Sequence, residues 1–267
     1  MADPSRNHPL GTLIAEARDD QGDICVRQQG QHRFLTFGNE VEQSCFNLET
    51  PYRLEHVYTQ AMLLGPLLGG PLQSALILGF GGGSLVRALR RYQQKLSITA
   101  VEARQAVIDV AAQWFDIDKE DPFLTLVCAE AGAFLGSPQE TTFDLIFADL
   151  YQAENVDPQQ NTLGFLKLCR ERLSDTGLLM LNQWSSEYRD SLAAKEALQS
   201  VFGDNIAHLQ VQGGNVIAFA FKSRLPRVNH KKLISEALAL GKALDIPLHT
   251  LARNFWRQNL ARLRSAR

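Results

Sequence analysis

From residue 74 onward, short apolar runs alternate with stretches whose apolar positions recur every three or four residues. The runs predict strands at 74–79, 97–102, 124–128, 143–149, 177–183, 206–212 and 215–222, and the periodic stretches predict helices at 83–92, 105–115, 130–135, 160–173 and 188–202. Such alternation specifies an α/β fold with a largely parallel sheet covered on both faces. Gly213-Gly214 predicts a tight antiparallel hairpin between the last two strands. Ahead of this block, Thr12–Ala17, Asp23–Gln29, His32–Phe37 and Val41–Phe46 read as β segments with turn signals at Gln21-Gly22, Gly30 and Gly38-Asn39, a meander of hairpins. Pro51 then opens a helical pattern, Tyr52–Leu64, ending near Gly65-Pro66, and beyond Pro226 two helices are expected at 230–244 and 248–265. The chain thus divides into an N-terminal β-hairpin domain (1–50), a domain of alternating strands and helices (51–223) and a helical C-terminal extension (224–267).

The stretch that carries chemistry is Ser74-Ala-Leu-Ile-Leu-Gly-Phe-Gly-Gly-Gly-Ser-Leu85, followed by Ile98-Thr-Ala-Val-Glu102. A strand, a glycine turn, a helix and a second strand ending in an acid form the first half of a nucleoside-binding unit. Gly79, Gly81, Gly82 and Gly83 let the backbone approach a ligand closely. The spacing Gly79-x-Gly81-Gly82-Gly83 puts Ser84 where the dinucleotide fingerprint needs its third glycine, which favours a mononucleoside over NAD. Ligands in open α/β sheets sit beyond the carboxyl ends of the strands, which selects Glu102, Glu130, Asp149 and Gln183 as further candidates. Glu102 suits two ribose hydroxyls, because one carboxylate accepts both hydrogen bonds. Glu130 suits an adenine amino group while the backbone around Ala131 reads the ring, and Asp149 closes an apolar strand and points a carboxylate toward the cleft.

The formal net charge is −2, but it is unevenly spread: residues 222–267 carry eleven Lys/Arg against two acids. That basic tail could meet nucleic acid, although packing on the acidic body or a second subunit is the favoured expectation. No apolar run reaches the roughly 18 residues of a membrane span, and the N-terminal segment lacks a signal-peptide pattern, so the expectation is a cytoplasmic protein without a membrane partner. Cys25, Cys45, Cys128 and Cys169 are far apart, which suggests neither disulfides nor zinc, and Cys128 is expected in a core strand. The six histidines are scattered, and no metal site is expected.

Taken in order, Gly22-Asp-Ile-Cys-Val26, Gln43-Ser44, Pro51-Tyr-Arg-Leu54, Tyr58-Thr-Gln-Ala-Met62, the glycine loop, Val101-Glu102, Glu130-Ala131, Phe143-Asp144 through Asp149 and Gly214-Asn215 resemble the spermidine synthase family. The likeness spans about residues 12–222 and implies a class I S-adenosylmethionine-dependent methyltransferase fold with seven strands behind a small N-terminal β domain. It also implies a homodimer, and a nucleoside site built from Gln43, Gly79, Gly81, Gly82, Gly83, Glu102, Glu130, Ala131 and Asp149.

Family members transfer an aminopropyl group from decarboxylated S-adenosylmethionine to a diamine that acids grip at both ends. This chain departs at those acids. Phe80-Gly81-Gly82 replaces a glycine-aspartate-glycine, the second acid of Asp149-Leu-Tyr-Gln152 is an amide, and Gln183-Trp184-Ser185 lacks its glutamate. Burying a dicationic diamine without paired carboxylates is costly. Losing a carboxylate at Gly81 also removes repulsion against the carboxylate of intact S-adenosylmethionine. The departures therefore predict a methyltransferase that uses S-adenosylmethionine on an unidentified small-molecule acceptor. Asp149, Tyr151 and Gln152 are then the catalytic candidates, Gln183 completes a polar wall, and Tyr58 and Trp184 border the acceptor. Two alternatives remain: aminopropyl transfer from decarboxylated S-adenosylmethionine, with Glu154 or Asp157 compensating, and a non-catalytic nucleoside-binding or interaction protein.

Overall fold

The structure is a computed structural model and describes residues 8–39, 41–138, 141–150, 158–184 and 191–265. Its first four strands, β1 (Thr12–Asp19), β2 (Gly22–Gln29), β3 (His32–Thr36) and β4 (Glu42–Asn47), form the expected antiparallel meander in sequential order. Two short helices follow, α1 (Val57–Met62) and α2 (Gly65–Leu68). The predicted helix at 52–64 is therefore only half realised. Pro51 starts an irregular segment, and Gly65-Pro66 opens a helical turn instead of ending one, since proline is well tolerated in the first turn.

The second sheet is built from β5 (Ser74–Leu78), α3 (Ser84–Tyr92), β6 (Ser97–Glu102), α4 (Gln105–Trp114), β7 (Leu124–Cys128), α5 (Ala131–Gly136) and β8 (Phe143–Ala148). It continues through a 3-10 turn (Pro158–Asn161), α6 (Leu163–Glu171), β9 (Leu173–Trp184), α7 (Leu192–Phe202), β10 (Ile206–Gln210) and β11 (Asn215–Phe221). The strand order is β10-β11-β9-β8-β5-β6-β7. β5 to β9 pair in parallel, while β11 runs antiparallel to both β9 and β10. This is the seven-stranded, mostly parallel class I fold expected from the sequence. Because β6 and β8 lie on opposite sides of β5, the chain reverses its winding there, which opens a crevice at the carboxyl end of β5.

Alternation along each strand divides the core. Ile77, Leu145, Phe147, Met180, Ile217 and Phe219 face one side; Leu76, Leu78, Ile146, Leu179, Leu181 and Ala218 face the other, against α5, α6 and α7. Ile24, Val26, Leu35 and Phe46 of the first sheet pack on Val107 and Val110 of α4 and on Phe115, fixing that sheet beside the crevice. Cys128 is exposed, contrary to the expectation of a core position, because β7 is the edge strand.

The basic C-terminal segment forms α8 (His230–Leu244), α9 (Leu248–Gln258) and α10 (Leu260–Ser265), where one helix had been expected from 248 to 265. Leu233, Ala237, Leu240, Leu251, Ala252 and Phe255 cover the Ile77 face of the sheet. The break at Asn259 has a purpose in the hydrogen bonding. β10 is an edge strand, and its outward backbone groups are met by side chains: His208 N–H donates to Asn259 Oδ1 (3.0 Å), Asn259 Nδ2 donates to His208 O (2.7 Å), Gln210 N–H donates to Gln258 Oε1 (2.9 Å) and Arg262 donates to Ile206 O (2.8 Å). The tail thus masks an edge that would otherwise invite strand pairing. Asn259→Ala should cost about 1–3 kcal/mol, the penalty for orphaning buried backbone groups, read as a lower denaturation midpoint with an unchanged denaturant slope. Among the described residues, no helix is long and apolar enough to cross a membrane.

Candidate functional site

A cavity of about 440 Å³ opens at the carboxyl ends of β5, β6 and β8. One end is made by the glycine loop. Gly79 has φ +90°, and a Cβ there would lie 2.2 Å from the carbonyl oxygen of Asp149, so no other residue fits this close crossing of two strand ends. Gly82 N–H donates to Ser44 Oγ (2.9 Å), which ties the loop to β4. Glu102 Oε2 accepts from Gly81 N–H (3.2 Å) and Oε1 accepts from Arg104 N–H (3.2 Å). Each oxygen keeps acceptor capacity for a ligand hydroxyl. Burial raises the Glu102 carboxyl above its ordinary pKa, and the two backbone N–H groups oppose that rise. Glu130 is exposed at the N-terminus of α5, makes no capping bond with its side chain and lines the cavity together with Ala131.

The other end is made by Asp149, Tyr58 and His56. Asp149 Oδ1 accepts from Asn182 Nδ2 (2.8 Å), Tyr58 donates a second hydrogen bond to the carboxylate, and Asn215 Nδ2 in turn holds Asn182 Oδ1 (3.0 Å). Burial nevertheless pushes the Asp149 carboxyl up to about 6, against the lowering effect of Asn182, Tyr58 and the nearby His56. It is therefore ionised at neutral pH at an energetic cost, a state that a bound cation relieves. His56 stacks on Tyr58 with ring centroids 5.5 Å apart and holds Glu42 through Nε2 at 2.6 Å.

Nine of the sequence candidates meet here: Gln43, Gly79, Gly81, Glu102, Glu130, Ala131, Asp149 and Tyr58 line the cavity, while Gly82 sits buried behind it on Ser44. Gly83 is the N-cap of α3, packed against Ile117. Gln183 and Trp184 do not line the cavity. Gln183 donates to Asn161 Oδ1 (2.8 Å) and Trp184 packs over Gly214. Tyr151, Gln152, Glu154, Asp157 and Ser185 lie outside the described residues. Among the described residues no cluster of metal-ligating side chains occurs.

The sequence profile of the spermine/spermidine synthase domain matches residues 55–229. The chain belongs to this family. A Neisseria meningitidis serogroup A protein named polyamine aminopropyltransferase is 28% identical over 246 residues, covering 91% of this chain and 92% of that protein. The solved structure of a probable spermidine synthase from Corynebacterium glutamicum superposes with a TM-score of 0.71 at 18% identity, covering 88% of this chain and 87% of that one. Human methyltransferase-like protein 13, solved with S-adenosylhomocysteine, superposes at 0.57 with 24% identity over 72% and 90% of the two chains. The fold alone is thus shared by both kinds of transferase.

Membership in the spermine/spermidine synthase family, with relatives named aminopropyltransferases along nearly the whole chain, makes the protein a transferase and overturns the expectation of methyl transfer. Gly81 adopts φ +51°, in the left-handed region that aspartate also visits, and a Cβ there would lie 2.9 Å from Ser44 Oγ, so a side chain at this position would require the Ser44 hydroxyl to move. The residues that pattern reading missed are Asn182, Glu42 and His56. Asn182 was detectable as the first polar residue to interrupt the apolar run Leu178–Leu181 at a strand's carboxyl end. Glu42 and His56 come from different elements, and only the fold brings them together.

Proposed function

We propose that the chain is an aminopropyltransferase that moves the aminopropyl group of decarboxylated S-adenosylmethionine onto an amine of the polyamine class. The near end-to-end match to a protein of that name carries the reading, and the chemistry of the cavity agrees with it. In this assignment Glu102 accepts from both ribose hydroxyls and Glu130 from the adenine amino group, while Gln43 and the turn from Gly79 to Gly83 cradle the rest of the nucleoside. Ala131 contributes backbone at the ring. Asp149 attracts an ammonium group and places it near the reacting carbon. The donor's sulfonium activates the adjacent methylene, so the protein's task is in-line positioning and handling of one proton. Residues 1–50 supply one wall, residues 51–223 bind and position the reactants, and residues 224–267 cover the sheet.

Calorimetry with decarboxylated and intact S-adenosylmethionine, each with and without putrescine, and mass spectrometry of the products test this. Tighter binding of the decarboxylated donor and formation of the aminopropylated amine are expected. Preference for the intact donor, with no effect of putrescine and no aminopropylated product, would sink the reading.

A further inference from the structure

An acceptor amine arrives as an ammonium ion and cannot attack carbon until a group on the protein removes its proton. Five described side chains lining the cavity carry a carboxyl, phenol or imidazole group: Glu102, Glu130, Asp149, Tyr58 and His56. Glu102 and Glu130 belong to the nucleoside end. Asp149 is already engaged by Asn182 and Tyr58, and it serves the cation best by remaining ionised. Tyr58 spends its hydroxyl proton on Asp149. His56 remains.

Its surroundings are those of a base. Glu42 Oε1 lies 2.6 Å from His56 Nε2. An ionised carboxylate only accepts, so the proton of neutral His56 sits on Nε2 and the lone pair on Nδ1. Nδ1 has no hydrogen-bond partner among the described residues. The stack on Tyr58, with planes 15° apart, fixes the ring beside the Tyr58 to Asp149 hydrogen bond. The other charged groups around His56 are Asp149 beyond β8 and, next in the chain, Glu55, which is engaged by Arg53 (3.5 Å) and His32 (3.9 Å).

We propose that His56, oriented by Glu42, takes the proton from the acceptor ammonium that Asp149 holds. This rests on the aminopropyl-transfer reading. The step balances: the ammonium N–H bond breaks and its proton goes to His56 Nδ1, giving an imidazolium paired with Glu42. The freed lone pair then forms the new C–N bond as the C–S bond breaks, and its electron pair returns to sulfur, leaving a neutral thioether. The product ammonium keeps the positive charge that left the sulfonium.

The test compares wild type, His56→Asn and Glu42→Gln in steady-state aminopropyl transfer from pH 7 to 10, with thermal melts to confirm folding. Both side chains are only half-buried, so both variants are expected to fold. For His56→Asn, kcat should fall by about 100-fold at pH 7.5, the range for losing a positioned base, with KM for donor and acceptor unchanged within about threefold. The deficit should shrink to less than about fivefold near pH 10, because bulk water then deprotonates the amine. Glu42→Gln should lose about tenfold, since an amide can present N–H as well as oxygen to Nε2 and no longer fixes the ring with its lone pair on Nδ1. A deficit for His56→Asn that is absent, or constant across pH, would overturn this inference while leaving the reaction in place. A folded wild type that transfers no aminopropyl group at any pH would overturn the underlying reading, and the inference with it.

Discussion

Replacing Asp149 with Asn is expected to lower kcat/KM for aminopropyl transfer by roughly 10²–10³-fold, while the folded protein becomes no less stable at neutral pH. The two effects have one origin. The carboxyl is pushed up to about 6 by burial, above the ordinary aspartate value of 3.8, so its buried setting disfavours the charge. The folded state therefore binds more protons than the unfolded chain between about pH 4 and 6, and stability declines as pH rises through that window. Above it the penalty is complete. Asn keeps the shape and removes the charge, so the variant should gain about 1–2 kcal/mol over wild type at pH 7.5, after allowance for a weaker bond to Asn182, and the gain should vanish near pH 4. Catalysis responds oppositely, because the buried charge that costs stability is the one that attracts the ammonium in the proposed reaction. Chemical denaturation at pH 4 and 7.5, beside kcat/KM at pH 7.5, checks both. Retained activity in the variant would remove Asp149 from the reaction.

How far the sequence disclosed this site depends on how local each feature is. The glycine turn, Glu102 and Asp149 follow strand ends in a pattern that the β/α rhythm makes visible, because position at the carboxyl edge of a parallel sheet is fixed by strand length alone. The presence of seven strands and the mostly parallel sheet follow from the same rhythm. The 52–64 helix was misjudged at its start: the segment from Pro51 to His56 is irregular, only Val57–Met62 is helical, and His56 and Tyr58 line the cavity. The C-terminal break at Asn259 depends on β10, which lies 51 residues earlier in the chain, so no local pattern announces it. The largest error came from counting acids in the linear sequence. A missing carboxylate at Gly81 looked like a change of substrate, whereas a relative matched along nearly the whole chain is named an aminopropyltransferase.

Glu102→Gln separates recognition of the nucleoside from chemistry on the amine. Its two oxygens each accept a backbone N–H, from Gly81 and from Arg104, and in the proposed assignment they accept the ribose hydroxyls as well. A glutamine has one acceptor and one donor, so one of the two N–H groups must face an amide N–H. The mismatch falls on the glycine loop or on the start of α4. Losing two hydrogen bonds to a charged group, at about 1.5–3 kcal/mol each and partly recovered by relaxation, should weaken binding of 5′-methylthioadenosine, the product nucleoside, by roughly 30- to 300-fold. Wild-type binding should also weaken toward acid pH from a higher pH than an ordinary glutamate would give, because burial raises this carboxyl and the ribose needs its ionised form. In Asp149→Asn the same nucleoside should bind within about threefold of wild type, since the deletion lies at the amine end. Calorimetry on both variants therefore reads the two ends independently, and equal losses in the two would mean that the crevice does not divide its work between Glu102 and Asp149.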